Sequence, residues 1–148
     1  MTMRTRSTNP LVTPMIPVQA KLAAAWTSFM FLVIYVDYFH IYQPGEIDEI
    51  RGGVIFAFDI SGGLMSIFFA IIAVPALMVM LSMALPARAN RATNLVIAAL
   101  YIPVVVFNFV GAPADWAIYY ALTIGVEVLI LAFILRSAWT WPRRTASP

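Results

Sequence analysis

The chain has 148 residues, of which 62% are hydrophobic and 11% charged, with a formal net charge of +2. Soluble domains carry about 25% charged residues, so this composition would leave large apolar patches in water, which a bilayer removes by acting as solvent. With no cysteine and one histidine, the chain excludes disulfides, thiol catalysis, cysteine-ligated metals and a multi-histidine metal site within one subunit.

A hydrocarbon core about 30 Å thick takes roughly 20 apolar residues in a helix. Four segments meet this length, at about 18–42, 59–85, 93–110 and 115–139. They predict one membrane domain over 18–142, between a proline-punctuated tail at 1–17 and a second tail at 143–148. The first tail carries Arg4, Arg6, Pro10, Pro14 and Pro17. The apolar stretch after Lys21 is longer than a signal-peptide core, so a cleaved signal is not expected.

The first helix holds Asp37 and His40, three residues apart and on one face near its end. Such a pair holds a proton or orients the imidazole, or both groups reach outer water. The following loop, 43–58, is acidic (Glu46, Asp48 and Glu49 against Arg51). Ile47, Ile50 and Val54 have the spacing of a short interfacial helix, which Gly52 and Gly53 would end. Asp59 begins the second helix, where N-capping is its expected role. Gly62, Ser66 and Ala70 make a small-residue stripe there, and Ala20, Ala24 and Ser28 make another on the first helix. Both are expected to pack within the subunit, with a homo-oligomer interface as the alternative.

The connection Pro86–Arg91 reads as a short basic loop, and 111–115 as a short acidic one. Pro75 and Pro103 lie inside the second and third helices. Mild kinks are expected, with gating hinges as the alternative, since neighbours can satisfy the carbonyls that proline frees. Asn108 falls near the outer end of the third helix, placed to hydrogen-bond across the bundle. The fourth helix carries Glu127 near its middle, about eleven residues from the outer end, too deep to reach the interface. Tyr120 and Thr123, seven and four residues earlier, share its face. A charge at the bilayer centre costs about 2.5–3.5 kcal/mol on insertion scales. A neutral, hydrogen-bonded Glu127 facing the bundle interior is therefore expected.

Orientation follows from the basic residues alone. Arg4, Arg6, Lys21, Arg88, Arg91, Arg136, Arg143 and Arg144 fall on one side of a four-helix arrangement, and only Arg51 on the other. The fold expected is all-α: an integral membrane up-down-up-down four-helix bundle with both termini cytoplasmic. Trp26, Trp139 and Trp141 fall at the inner interface, and Tyr38, Tyr42, Trp116, Tyr119 and Tyr120 at the outer, as interfacial rings favour. The basic residues sit at segment ends, which argues against a nucleic-acid partner.

Asp37, His40, Asp59 and Asn108 fall in the outer half, with Glu127 at its floor, while the inner half reads as an apolar plug. The pattern predicts an outward-facing polar pocket around Glu127, with Asp37, His40, Asn108, Asp59, Tyr120 and Thr123 as ligand- or proton-binding candidates. Its occupant would be a small molecule, a proton or another cation. A pore-forming oligomeric channel, or an accessory subunit of a quinone-linked redox system holding quinone or lipid, are the alternatives. No phosphate loop, nucleophile elbow or metal-binding histidine pair occurs, so no catalytic residue, metal or cofactor is implied and an enzyme is not expected.

Four stretches carry a resemblance: KLAAAWTSFMFLVIYVDYF in the first helix, VPALMVMLSMALP ending the second, RATNLVIAALY opening the third, and GVEVLILAFILRSAWTWP around Glu127. Over Lys21 to Pro142 the chain resembles small four-helix bacterial membrane proteins described as DoxX-like. The resemblance implies a multi-pass protein of the bacterial cytoplasmic (inner) membrane. Some DoxX relatives are linked to quinone-coupled redox chemistry, but no redox residue here matches such a role.

Overall fold

A computed structural model describes residues 15–109 and 113–142. Arg4, Arg6, Pro10, Pro14, Val110, Gly111, Arg143 and Arg144 lie outside the described residues.

The long helices are α1 (Val18–His40), α3 (Gly62–Ala84), α4 (Ala87–Phe107) and α5 (Ala117–Trp139). Between α1 and α3 come a short helix, α2 (Glu46–Arg51), and a two-stranded hairpin, β1 (Val54–Ile55) and β2 (Phe58–Asp59). A single 3-10 turn, Ala114–Trp116, leads into α5. The four long helices are long and apolar enough to cross a membrane. At 1.5 Å per residue, 23 residues span about 34 Å, enough for the hydrocarbon core.

Two boundaries differ from expectation. Asp59 does not cap α3, because it is held in β2 opposite Val54. The cap is Ser61, whose extended backbone lets its hydroxyl oxygen accept from the Leu64 N–H at 3.2 Å. α4 begins at Ala87, six residues before Thr93, so Arg88 and Arg91 ride on its first turns. Arginines end a hydrophobic run without ending a helix, and hydropathy reads only the former. The acidic loop does form its short helix, closed by Gly52 and by Gly53 in the left-handed region at φ 83°.

α1 packs along both α3 and α5, α5 also packs along α4, and α3 approaches α4 only sparsely. The core is centred on Leu22, Trp26, Phe29, Met78, Leu131 and Ile134. Trp26, Phe29 and Tyr101 meet edge to face, with centroids 5.7–6.1 Å apart. This is the geometry in which the ring quadrupoles attract. Large apolar side chains such as Phe31, Phe69, Leu77, Met80, Leu100 and Leu122 point outward from all four long helices. Such a surface suits lipid, not water.

α3 runs unbroken through Pro75. That proline has no N–H to give the Ile71 carbonyl four residues back, and the Tyr101 hydroxyl on α4 donates to it instead. The small-residue stripes lie elsewhere than expected. Ala24, Ser28, Gly62, Ser66 and Ala70 are exposed on the outer surface, not packed inside the subunit.

Candidate functional site

Glu127 lies at mid-length on α5 and is 2% exposed. Its side chain has no protein hydrogen-bond partner among the described residues, and it faces a cavity of ≈ 170 Å³. Every long helix contributes to the wall: Phe29, Val33 and Asp37 from α1, Phe68 and Pro75 from α3, Tyr101, Val105 and Asn108 from α4. The cavity borders the α3–α4 seam, where consecutive helices approach only sparsely. Asp37 borders the same cavity from a more exposed position. Asn108, which closes the C-terminus of α4, completes the polar lining with the Tyr101 hydroxyl.

One wall comes from outside the four helices. Phe56, at the hairpin tip, stacks on the His40 ring (centroids 4.7 Å apart, planes at 27°) and meets Phe68 edge-on at 6.1 Å. Phe56 and Ala57 have φ 49° and 64°, the left-handed pair that a tight two-residue hairpin demands. Neither is a glycine, so the turn holds backbone strain of the kind that persists only where surrounding structure enforces it.

His40 and Tyr120 belong to a separate network beside the cavity. His40 Nδ1 is 2.8 Å from the Tyr120 hydroxyl, which also lies 3.1 Å from Gln43 Oε1. His40 Nε2 is 2.9 Å from Glu46 Oε2, off the axis of a straight hydrogen bond. The phenol has one proton to give. If it goes to Gln43, then Nδ1–H must donate to the phenol oxygen, and Nε2 needs its own proton to face the carboxylate. The alternative turns the Gln43 amide around and sends the phenol proton to Nδ1. Either assignment fixes the imidazole beneath Phe56.

The sequence-predicted residues therefore divide. Glu127, Asp37 and Asn108 share the cavity, while His40 and Tyr120 support its Phe56 wall. The Thr123 hydroxyl donates to the Tyr119 and Tyr120 carbonyls of its own helix. Asp59 is exposed on the hairpin and forms no part of the cavity wall. Sequence reasoning missed Gln43, Glu46 and Phe56. The aromatic VIFAF segment in an otherwise acidic loop was the available signal for Phe56.

The other end of the bundle is not purely apolar, which corrects the expected plug. Asn94 Oδ1 accepts from Trp26 Nε1 at 2.7 Å, and Asn94 Nδ2 donates to Asn90 Oδ1 at 2.7 Å. Asn90 Nδ2 donates to the Ser82 carbonyl, and all three polar residues are fully buried. Nearby, Arg91 Nε donates to the Ala138 carbonyl at 3.2 Å, and its guanidinium lies 5.8 Å from the Trp139 ring centroid. This cluster satisfies itself and reads as a structural pin. A larger, open groove of ≈ 490 Å³ runs between α1 and α5 past Ala20, Ala24 and Ser28, with Lys21 its only charged side chain among the described residues. It is far more open than the Glu127 cavity and has no buried polar group directed into it, so its size does not make it the better site.

The model of the family of unknown function DUF6326 matches residues 17–147. That match covers the segments on which the DoxX-like resemblance rests and carries no link to DoxX itself. No curated protein and no solved structure matches the chain.

Proposed function

The chain belongs to DUF6326, a family of unknown function, and we propose that it binds or transports a small molecule or cation through the intramembrane pocket around Glu127. The observation that carries this reading is the carboxyl itself: 2% exposed, without a protein hydrogen-bond partner among the described residues, and turned into a cavity. An intramembrane carboxyl is costly to insert and is retained where something binds to it. In this reading the four helices run up-down-up-down, both termini are cytoplasmic and the pocket opens outward. The placement of Lys21, Arg88, Arg91 and Arg136 supports that orientation, and a bacterial inner membrane rests on the DoxX-like resemblance alone. The test is proton and cation flux in proteoliposomes, wild type against Glu127→Gln. Flux lost in the variant supports the reading. Flux present and unaltered by the substitution removes Glu127 from the pathway.

The outward-facing stripes favour a second reading, an oligomer whose subunits approach along Ala24–Ser28 or Gly62–Ser66–Ala70. Small residues let helix backbones meet closely in lipid. A shared pore would then lie between subunits. Gly62→Leu would break such an assembly, with particle mass in detergent as the measurement.

A further inference from the structure

The pocket's composition narrows its occupant. Four polar side chains reach it, those of Asp37, Asn108, Glu127 and Tyr101. The neutral Glu127 expected of an empty pocket gives way beside a cation, which favours the ionised form; ionised carboxylates only accept hydrogen bonds, and the Tyr101 proton already goes to the Ile71 carbonyl. Among the described residues the Asn108 amide is then the one donor left against several acceptors. A carbonyl ligand such as a quinone would meet mainly oxygens that repel it. A ligand bringing N–H donors and positive charge would satisfy them, and would relieve the repulsion between two carboxyls in one low-dielectric space.

The rest of the wall decides between a bare ion and an organic one. It is hydrocarbon and aromatic, with Phe29, Phe56, Phe68 and Tyr101 among its members. Among the described residues, no group of three or more His, Asp or Glu side chains is placed to hold a metal ion. A bare cation would exchange its hydration shell for few oxygens and much hydrocarbon. Aromatic faces, by contrast, attract an organic ammonium and pack against its carbon body. Size sets the limit. Drug-sized ligands occupy roughly 300–1,000 Å³, whereas a cavity of about 150 Å³ takes a single benzene ring. At ≈ 170 Å³ this pocket belongs with the latter.

We infer that the occupant is an organic ammonium cation about the size of one aromatic ring, its charge between Glu127 and Asp37 and its body against Phe29, Phe56 and Phe68. This rests on the pocket reading above and specifies its ligand class. Glu127 supplies the deep anchor, Asp37 the charge nearer the entrance, and Phe56 a wall that belongs to a hairpin and not to the bundle.

Calorimetric titration of the full-length protein in lipid nanodiscs tests it, with benzylammonium chloride, benzyl alcohol and potassium chloride as three separate probes. Benzyl alcohol keeps the ring and the approximate shape but carries no charge. Benzylammonium should bind saturably and about tenfold or more tighter than the alcohol, as charge-assisted hydrogen bonds exceed neutral ones. Glu127→Gln and Asp37→Asn should each weaken the ammonium by about tenfold and leave the alcohol unchanged. Asp37 is exposed, so its variant reports binding even if the buried substitution disturbs folding. Phe56→Ala should weaken both ring-bearing probes. The alcohol binding as well as the ammonium, or potassium alone binding with dependence on Glu127, overturns the ligand class and leaves the pocket reading standing. Silence from all three probes while flux still depends on Glu127 has the same meaning. Silence together with flux indifferent to Glu127→Gln removes both.

Discussion

The Tyr101 hydroxyl occupies the place of a backbone donor that Pro75 cannot supply. It reaches from α4 to the Ile71 carbonyl on α3, four residues before the proline. The bond does two things at once. It completes a helix that would otherwise carry an unpaired carbonyl in lipid, and it joins α3 to α4 along the seam where they approach least. Both residues also line the cavity, so the seam is fastened at the pocket wall.

Tyr101→Phe keeps the ring and its contacts with Trp26 and Phe29 but strands the Ile71 carbonyl. A stability loss of about 1–3 kcal/mol is expected in chemical unfolding from detergent micelles. Pro75→Ala restores an N–H to that carbonyl. In the Pro75→Ala background the cost of Tyr101→Phe should therefore shrink by about 1 kcal/mol. Equal costs in both backgrounds would show that the bond compensates for nothing.

Asn94 should be the least replaceable residue at its end of the bundle. It serves the Trp26 indole on α1 and Asn90 on its own helix, and shares contacts of 3.4 Å with the Ser82 hydroxyl on α3. Interhelical hydrogen bonds in membranes average about 0.6 kcal/mol each. Losing several and leaving buried donors unpaired, Asn94→Leu should cost about 2 kcal/mol. Trp26→Phe in the same protein should recover part of that loss, read from the unfolding midpoint of the double variant.

The hairpin turn offers a test of opposite sign. Ala57 sits at φ 64°, a region that costs an L-residue about 1–2 kcal/mol and glycine almost nothing. Ala57→Gly should stabilise the hairpin by about 0.5–1 kcal/mol after the entropy cost of glycine. Ala57→Val should loosen it. Hydrogen exchange at the Ile60 N–H, which donates to the Gly53 carbonyl at 2.7 Å, reads both effects. Faster exchange in the glycine variant would contradict the assignment of strain.

Glu127 should be dispensable to the fold. With no protein partner to lose among the described residues, Glu127→Gln should leave the thermal midpoint unchanged or raised, while binding or flux falls. A destabilisation above about 2 kcal/mol, the size expected for breaking a buried polar contact, would mean that the carboxyl holds the bundle together instead.

The four long helices were legible because bilayer thickness imposes their length on the hydropathy pattern. The depth of Glu127 and the shared face of Tyr120 and Glu127 followed from helical periodicity alone. What periodicity could not give was partnership. Tyr120 is buried on the Glu127 face yet spends its hydroxyl on His40 and Gln43, because α1 ends beside it. Asn90 was hidden by Arg88 and Arg91, which make a membrane-helix start look like a loop, and without it the role of Asn94 as its partner had no signal. For Phe56 the aromatic VIFAF segment was a signal of burial but not of position. Its place over the pocket depends on a left-handed turn at residues whose side chains disfavour one.

The position of α1 between α3 and α5 has a consequence for biogenesis. During synthesis α1 finds α3 early, but its other neighbour, α5, is made only after α4. The Trp26 indole cannot meet Asn94 until α4 has inserted, and the His40 imidazole cannot meet Tyr120 until α5 has. A nascent chain holding only α1 to α3 thus carries an indole N–H and an imidazole Nδ1 whose native partners are not yet made. The surroundings of α1 are therefore complete only once α5 is in place.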